Sequence, residues 1–213
     1  HKGAVYSRTT TWIFRAGPIV GLASALVAAL LVPLGTLPAL IAFPGDLILF
    51  AYLLGLMRFF TVLAALDTGS SFEGMGASRE VLFSALAEPA LLLALAAVAR
   101  PVGSFSLSDM FATLSVAHWT RIGPALALAA VALVVVLLAE NARIPVDDPN
   151  THLELTMIHE VMALDHGGPD FAFILYGAAL KLWLFGALLV TSGYLLNLAI
   201  MTLYATLLGT AWN

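Results

Sequence analysis

The 213 residues include no cysteine, and only 10% of them are charged. Without thiolates the chain makes no disulfide, no cysteine-bound zinc site and no cysteine-ligated iron–sulfur cluster, so a redox centre of that kind would sit on a partner. Basic residues are scarce too: nine Lys and Arg against thirteen Asp and Glu give a formal net charge of -4, which argues against nucleic-acid binding. The sequence also lacks a nucleotide-binding glycine loop, a serine nucleophile elbow and a paired-carboxylate hydrolase signature. It has no low-complexity linker and no internal repeat. That last absence weighs against a stand-alone transporter, which commonly pairs repeated halves containing broken helices. No self-sufficient active site is visible.

What is present is apolar. Hydrophobic residues make up 61% of the chain, with a mean hydropathy of +0.99, far above the roughly 45–50% of soluble domains. Six runs approach the length of about 20 residues that a bilayer demands: Pro18–Leu34, Asp46–Leu66, Glu80–Ala99, Ile122–Ala139, Phe171–Thr191 and Leu195–Ala211. An amide in hydrocarbon must pair within its own segment, so the expected fold is an all-α, polytopic transmembrane bundle in one domain over residues 1–213. Lys2, Arg8 and Arg15 precede an apolar run that is too long for a signal peptide and has no clear cleavage pattern. The chain starts at His1, and the beginning and end of the natural protein are expected to lie outside it. Counting Lys and Arg in the loops puts Lys2, Arg8, Arg15, Arg79 and Arg143 on the cytoplasmic face, against Arg100 and Arg121 opposite. Most carboxylates fall on that same inner face, leaving Asp46 and Asp109 near the other.

The densest polar stretch, residues 140–169, forms an inner-face acidic loop followed by an expected amphipathic helix, Thr151–Leu164. Leu153, Met157 and Val161 would share one stripe of it, widened by Met162 and Leu164. Such a helix is either an interfacial element with solvated charges or a docking surface for a soluble partner, with Asp148, His152, His159 and Glu160 as contact residues. Glu154 and Glu160 fall on different sides and do not suit one ion. His152, His159 and His166 recur every seven residues, about 10 Å apart on a continuous helix, too far for a shared metal. Partner contact or proton buffering suits them better. No metal site is expected.

Ionisable residues within spans carry the most information, because an intramembrane charge is costly and marks an ion route or a buried pair. Glu88 follows Glu80 by about two turns and precedes Pro89, which suggests a kinked, hydratable site with a desolvated carboxyl. Glu73, Glu80, Glu88 and Glu140 form a candidate proton path. Arg58 and Lys181 would tune these carboxylates or pair with Glu88 purely for structure.

The run Glu140-Asn-Ala-Arg-Ile-Pro-Val-Asp147, with Glu154-Leu155 beyond it, resembles the signature of the respiratory-chain NADH dehydrogenase subunit 1 family, whose bacterial members are membrane subunits of complex I. The string Thr151–Glu160, with Leu66–Ser70 and Gly74–Glu80, is similar to the hydrogenase branch, which comprises formate hydrogenlyase and other group 4 nickel–iron hydrogenases. The resemblance covers nearly the whole chain. It implies a membrane subunit joining a hydrophilic electron-transfer arm to antiporter-like, proton-translocating membrane subunits in the inner membrane, with acidic loops facing the cytoplasm. It further implies a proton route through Glu73, Glu80, Glu88, Glu140, Asp147 and Glu154, tuned by Arg58, Arg79, Arg143 and Lys181. Iron–sulfur clusters and a nickel–iron centre are expected on hydrogenase-like large and small subunits and iron–sulfur subunits, with no cofactor on this chain. The alternatives are an NADH:quinone oxidoreductase subunit contributing part of a quinone site and a stand-alone ion transporter. Where complex I members carry further glutamates, this chain has Asn150 and His152. Members usually have about eight spans of bilayer length, so a first and a last helix are expected beyond this chain.

Overall fold

Thr11 starts the first helix and ties it to the second. Its hydroxyl accepts the Ile13 amide at 3.2 Å, and its own amide donates to the Asp67 carboxylate at 2.6 Å. The computed structural model describes residues 10–34, 37–113, 116–144, 146–147 and 157–191, and for 116–121 and 190–191 the backbone alone. Among the described residues there are seven helices: α1 Trp12–Leu31, α2 Asp46–Asp67, α3 Ser71–Val102, α4 Leu107–Thr113, α5 Val116–Glu140, α6 His159–Met162 and α7 Gly168–Thr191. Among the described residues five segments are long and apolar enough to cross a membrane, namely α1, α2, α3, the Ile122–Glu140 part of α5, and α7 through Leu189. The protein is an all-α, multi-pass membrane bundle. The expected span Leu195–Ala211 lies outside the described residues, as do Asp148, Asn150, His152 and Glu154.

Three helices differ from the sequence expectation. α1 begins at Trp12, upstream of Pro18, because the Thr11 cap fixes an earlier start. α3 begins at Ser71, ahead of the expected Glu80, so Gly74 and Gly76 are helical. The helix also runs through Pro89 unbroken. At 1.5 Å per residue its 32 residues span about 48 Å, more than the roughly 30 Å hydrocarbon core, so a part of it projects beyond. α5 bends at Ile122 (φ -130°, ψ 21°), close to Pro124.

Successive spans alternate direction. The starts of α1, α3 and α7 therefore meet the ends of α2 and α5 at one end of the bundle, with the 32–45 and 103–106 connections at the other. Asp46, fully buried, secures that second end: its carboxylate accepts from the Leu107 amide at 2.7 Å and the Ser106 hydroxyl at 3.0 Å. α1 packs along α2 and α7, and α3 along α2 and α5. The α1–α2 approach is close at Gly17, where an added Cβ would fall 2.7 Å from the Ala64 Cβ. Leu31, Phe50, Leu95, Leu133, Leu184 and Leu188 anchor the common core. Large side chains such as Ile19, Tyr52, Leu82, Leu93, Leu128 and Leu175 face outward, which suits a lipid solvent.

Candidate functional site: an arginine-centred charge cluster

Arg58 leaves the middle of α2 and is buried, so its guanidinium has to find acceptors inside the bundle. It finds three carboxylates. Nη1 donates to Glu88 Oε1 at 2.7 Å, Nη2 donates to Glu140 Oε1, and Nε lies 3.3 Å from Glu80 Oε1. A planar fork with five donors suits three acceptors spread around it. Lys181 of α7, buried as well, brings Nζ to 3.8 Å from Glu140 Oε2. His159, from the start of α6, holds Nδ1 3.8 Å from Glu80 Oε2. When all ionise, three carboxylates against two cations leave one negative charge, and a proton arriving on any carboxylate removes it.

Local structure sets each position. Glu80 and Glu88 lie about two turns apart on α3, which lets both reach one guanidinium. Glu140 is the last residue of α5, fixed by the cap that follows: Ala142 takes a left-handed conformation (φ 42°) and the Arg143 amide donates to Leu138 O at 2.9 Å. Gly55, one turn before Arg58, leaves room for the Glu88 carboxylate, since an added Cβ would lie 3.4 Å from Oε1.

Burial distinguishes the carboxylates. Glu80 and Glu140 have side chains 6% and 1% accessible, whereas Glu88 is 49% accessible. The desolvated carboxyl expected at Glu88 is therefore not found there. The helix does not open at Pro89, and Glu88 turns toward Arg58 at the bundle surface. Its pairing with Arg58, weighed from the sequence as a purely structural role, is the observed contact.

The remaining sequence candidates sit around this centre. Asp147 is buried, but it holds backbone: its Oδ2 accepts the Ile158 amide at 3.1 Å and the His159 amide at 3.3 Å. Arg79 donates to Met157 O at 2.9 Å, and buried Glu73 accepts the Asp165 amide at 3.3 Å. Arg79 and Glu73 thus clamp the 157–165 segment against α3, and Asp147 ties it to the loop after α5. Arg143 is exposed. The continuous amphipathic helix expected over Thr151–Leu164 is not present across its described part. Only His159–Met162 is helical, because Asp147 captures the amides just before it and the chain turns after it. The seven-residue histidine stripe fails with it. His159, expected at a partner surface, faces Glu80 instead. His166 is buried and stacks on Phe14, with ring centroids 4.0 Å apart.

His159 lies outside the spans, and burial, reinforced by the Lys181 charge, pushes its imidazole down to about 3. Burial also lowers His166 from the ordinary histidine range. Both rings are thus neutral at pH 7. No group of three or more His, Cys, Asp or Glu arranged to hold a metal is present among the described residues.

Two small cavities adjoin the cluster. One lies between α1, α2 and α7 and is lined by Arg58, Glu80, His159 and Lys181; the other is lined by His159, Met162 and His166. On the outside, an apolar groove of about 230 Å³ is lined by Phe72, Met75, Met157, Val161 and Leu164, with Arg79 and Glu160 at its edge. The inward setting of His159 and His166 was not legible in the sequence, although their recurrence beside an acidic loop was a signal.

A sequence model of the NADH dehydrogenase family matches residues 1–208. Formate hydrogenlyase subunit 4 of Escherichia coli (strain K12) is 35% identical over 173 residues, covering 80% of this chain and 54% of the relative. Hydrogenase-4 component C of the same organism is 37% identical over 169 residues, covering 79% of this chain and 52% of the relative. The chain thus spans about half the length of the curated relatives it matches. Among solved structures, a chain of the membrane-bound sulfane sulfur reductase, an archaeal respiratory membrane complex, matches with a TM-score of 0.64 and 25% identity, covering 95% of this chain and 72% of that one.

Proposed function

The chain belongs to the NADH dehydrogenase family, and from that premise we propose that it is the proton-conducting, membrane-anchoring subunit of a complex I-related oxidoreductase of the hydrogenase or formate hydrogenlyase type. The carrying observation is the Arg58 cluster: carboxylates from α3 and α5 share one guanidinium inside a membrane bundle, with Lys181 beside them. Glu80, Glu88 and Glu140 exchange protons there, Arg58 and Lys181 set how readily they do so, and Glu73 and Asp147, with Glu154 of the same loop, extend the route at the loop end of the bundle. Electron transfer takes place on partner subunits, whose iron–sulfur clusters and nickel–iron centre this cysteine-free chain does not itself ligate. The outer groove, with Arg79 and Glu160 at its edge, offers a soluble partner an apolar seat beside the cluster, and Asp148 and His152 of the neighbouring loop extend that contact. Antiporter-like subunits receive the coupling from the membrane side. The complex sits in the inner membrane, with the acidic end of the bundle toward the cytoplasm.

The quinone alternative meets a size limit. The cavities beside the cluster measure about 30 Å³ and 20 Å³, enough for water but too small for a quinone head group. The test is made on the complex isolated from its own membranes and reconstituted in vesicles, measuring protons moved per electron passed. Glu140→Gln and Glu88→Gln should each assemble and pass electrons while proton movement falls by about tenfold or more. An unchanged ratio in both variants would remove the cluster from the path.

A further inference from the structure

We propose that His166 and His159 form a water-filled side branch that feeds protons to Glu80 from the loop end of the bundle, an inference that rests on the proton-conducting reading above. Nδ1 of each histidine is buried and has no hydrogen-bond partner. A buried polar atom of this kind ordinarily has one, and ordered water is the usual partner where protein supplies none. Both atoms belong to rings lining the second cavity, and His159 also lines the first, where Glu80 and Arg58 lie. His159 therefore stands between two adjoining spaces that also share Gly17, Pro18, Thr61 and Ile174. At about 20 Å³ and 30 Å³, each exceeds the roughly 10–15 Å³ that one water needs.

The distances favour a bridging water over direct contact. His159 Nδ1 and Glu80 Oε2 are 3.8 Å apart, beyond hydrogen-bond range, and a gap of this kind is one that water spans. His166 is 3% accessible and stacks on Phe14, so its ring keeps a fixed plane. Asp165 and Asp170 are the carboxylates whose charge acts on His166, so the loop end of the branch is acidic. At the inner end His159 faces Lys181, Asp147, Glu140, Arg143 and Glu80.

The transfer balances without any redox partner. A proton arriving through water binds one ring nitrogen and the proton on the other nitrogen leaves to the next water; each ring is then neutral in its other tautomer, which a half-turn about the Cβ–Cγ bond resets without changing the ring plane. Glu80 receives the proton, and the Arg58 cluster passes it on. The burial that keeps both imidazoles neutral at pH 7 makes them relays and not stores.

Three variants of the reconstituted complex test this, with a viologen dye as electron carrier and proton movement read beside electron flow. His166→Ala should lower protons per electron by about tenfold, and added imidazole should restore much of the loss by entering the vacated space. His166→Phe keeps the stack on Phe14 and fills the space, so it should show the same loss without rescue. Wild-type proton movement in His166→Phe would overturn the branch, and so would a loss in His166→Ala that imidazole leaves untouched. Glu140→Gln in the same assay separates the two ideas. If it abolishes proton movement while the histidine variants do not, the branch fails and the cluster stands; if it and Glu88→Gln both leave proton movement intact, the underlying reading fails.

Discussion

At the residue scale, Arg58 decides the site. Three carboxylates within one bundle repel each other, and the shared guanidinium removes that repulsion while satisfying their oxygens. Arg58→Met would leave Glu80 and Glu140 buried without it, and unpairing a buried charge costs about 3–5 kcal/mol. Thermal unfolding in mild detergent should show a clear drop in midpoint, with Arg58→Lys intermediate because a compact ammonium keeps the charge but not the spread, planar fork. A midpoint unchanged in Arg58→Met would mean that the carboxylates are held neutral by other means. The charged residues of the cluster were legible in the sequence, since a lone intramembrane charge stands out against apolar neighbours. Their grouping was not. Arg58 is 30 residues from Glu88 and 82 from Glu140, and pattern within one helix carries no information over such separations.

At the element scale, the contact between α3 and the 157–165 segment controls how His159 meets Glu80. Gly76 permits it: an added Cβ would lie 3.0 Å from both the Ile158 carbonyl oxygen and the Met162 side chain. Gly74, two residues earlier on α3, has nothing within 4 Å of the same position. Gly76→Leu should therefore destabilise by about 1–3 kcal/mol through overpacking, whereas Gly74→Ala should be neutral or stabilising by about 0.5–1 kcal/mol, as expected inside a helix. Paired unfolding measurements check the contrast; equal effects would mean that the segment moves freely. From the sequence both glycines suggest a pliable loop, because glycine signals a turn and a close helix packing with equal strength. The short α6 escapes the sequence pattern for a related reason. The periodicity of Met157, Val161 and Leu164 supports a longer helix, and Asp147, 11 residues before Ile158, takes the amides at its start.

At the scale of the whole molecule, the alternation of spans gathers the carboxylates at one end of the bundle and leaves Asp46 and Asp109 at the other. The lack of native cysteine makes that arrangement directly measurable. Ser71→Cys, exposed at the start of α3, should react with an impermeant maleimide from one side only, and Phe105→Cys, exposed after α3, only from the other. Labelling of both from one side would contradict the alternation.

The solvent, the helices and the inventory of charges follow from the order of residues alone, because burial in lipid forces long apolar runs to pair their amides locally and makes each remaining charge conspicuous. Packing in three dimensions settles which charges meet, that Glu80 and Glu140 are the buried carboxylates while Glu88 lies near the surface, and that two histidines turn inward. Those outcomes depend on helix rotation and on contacts between segments far apart in the chain, and the hydrophobic pattern constrains neither one when lipid and core are equally apolar.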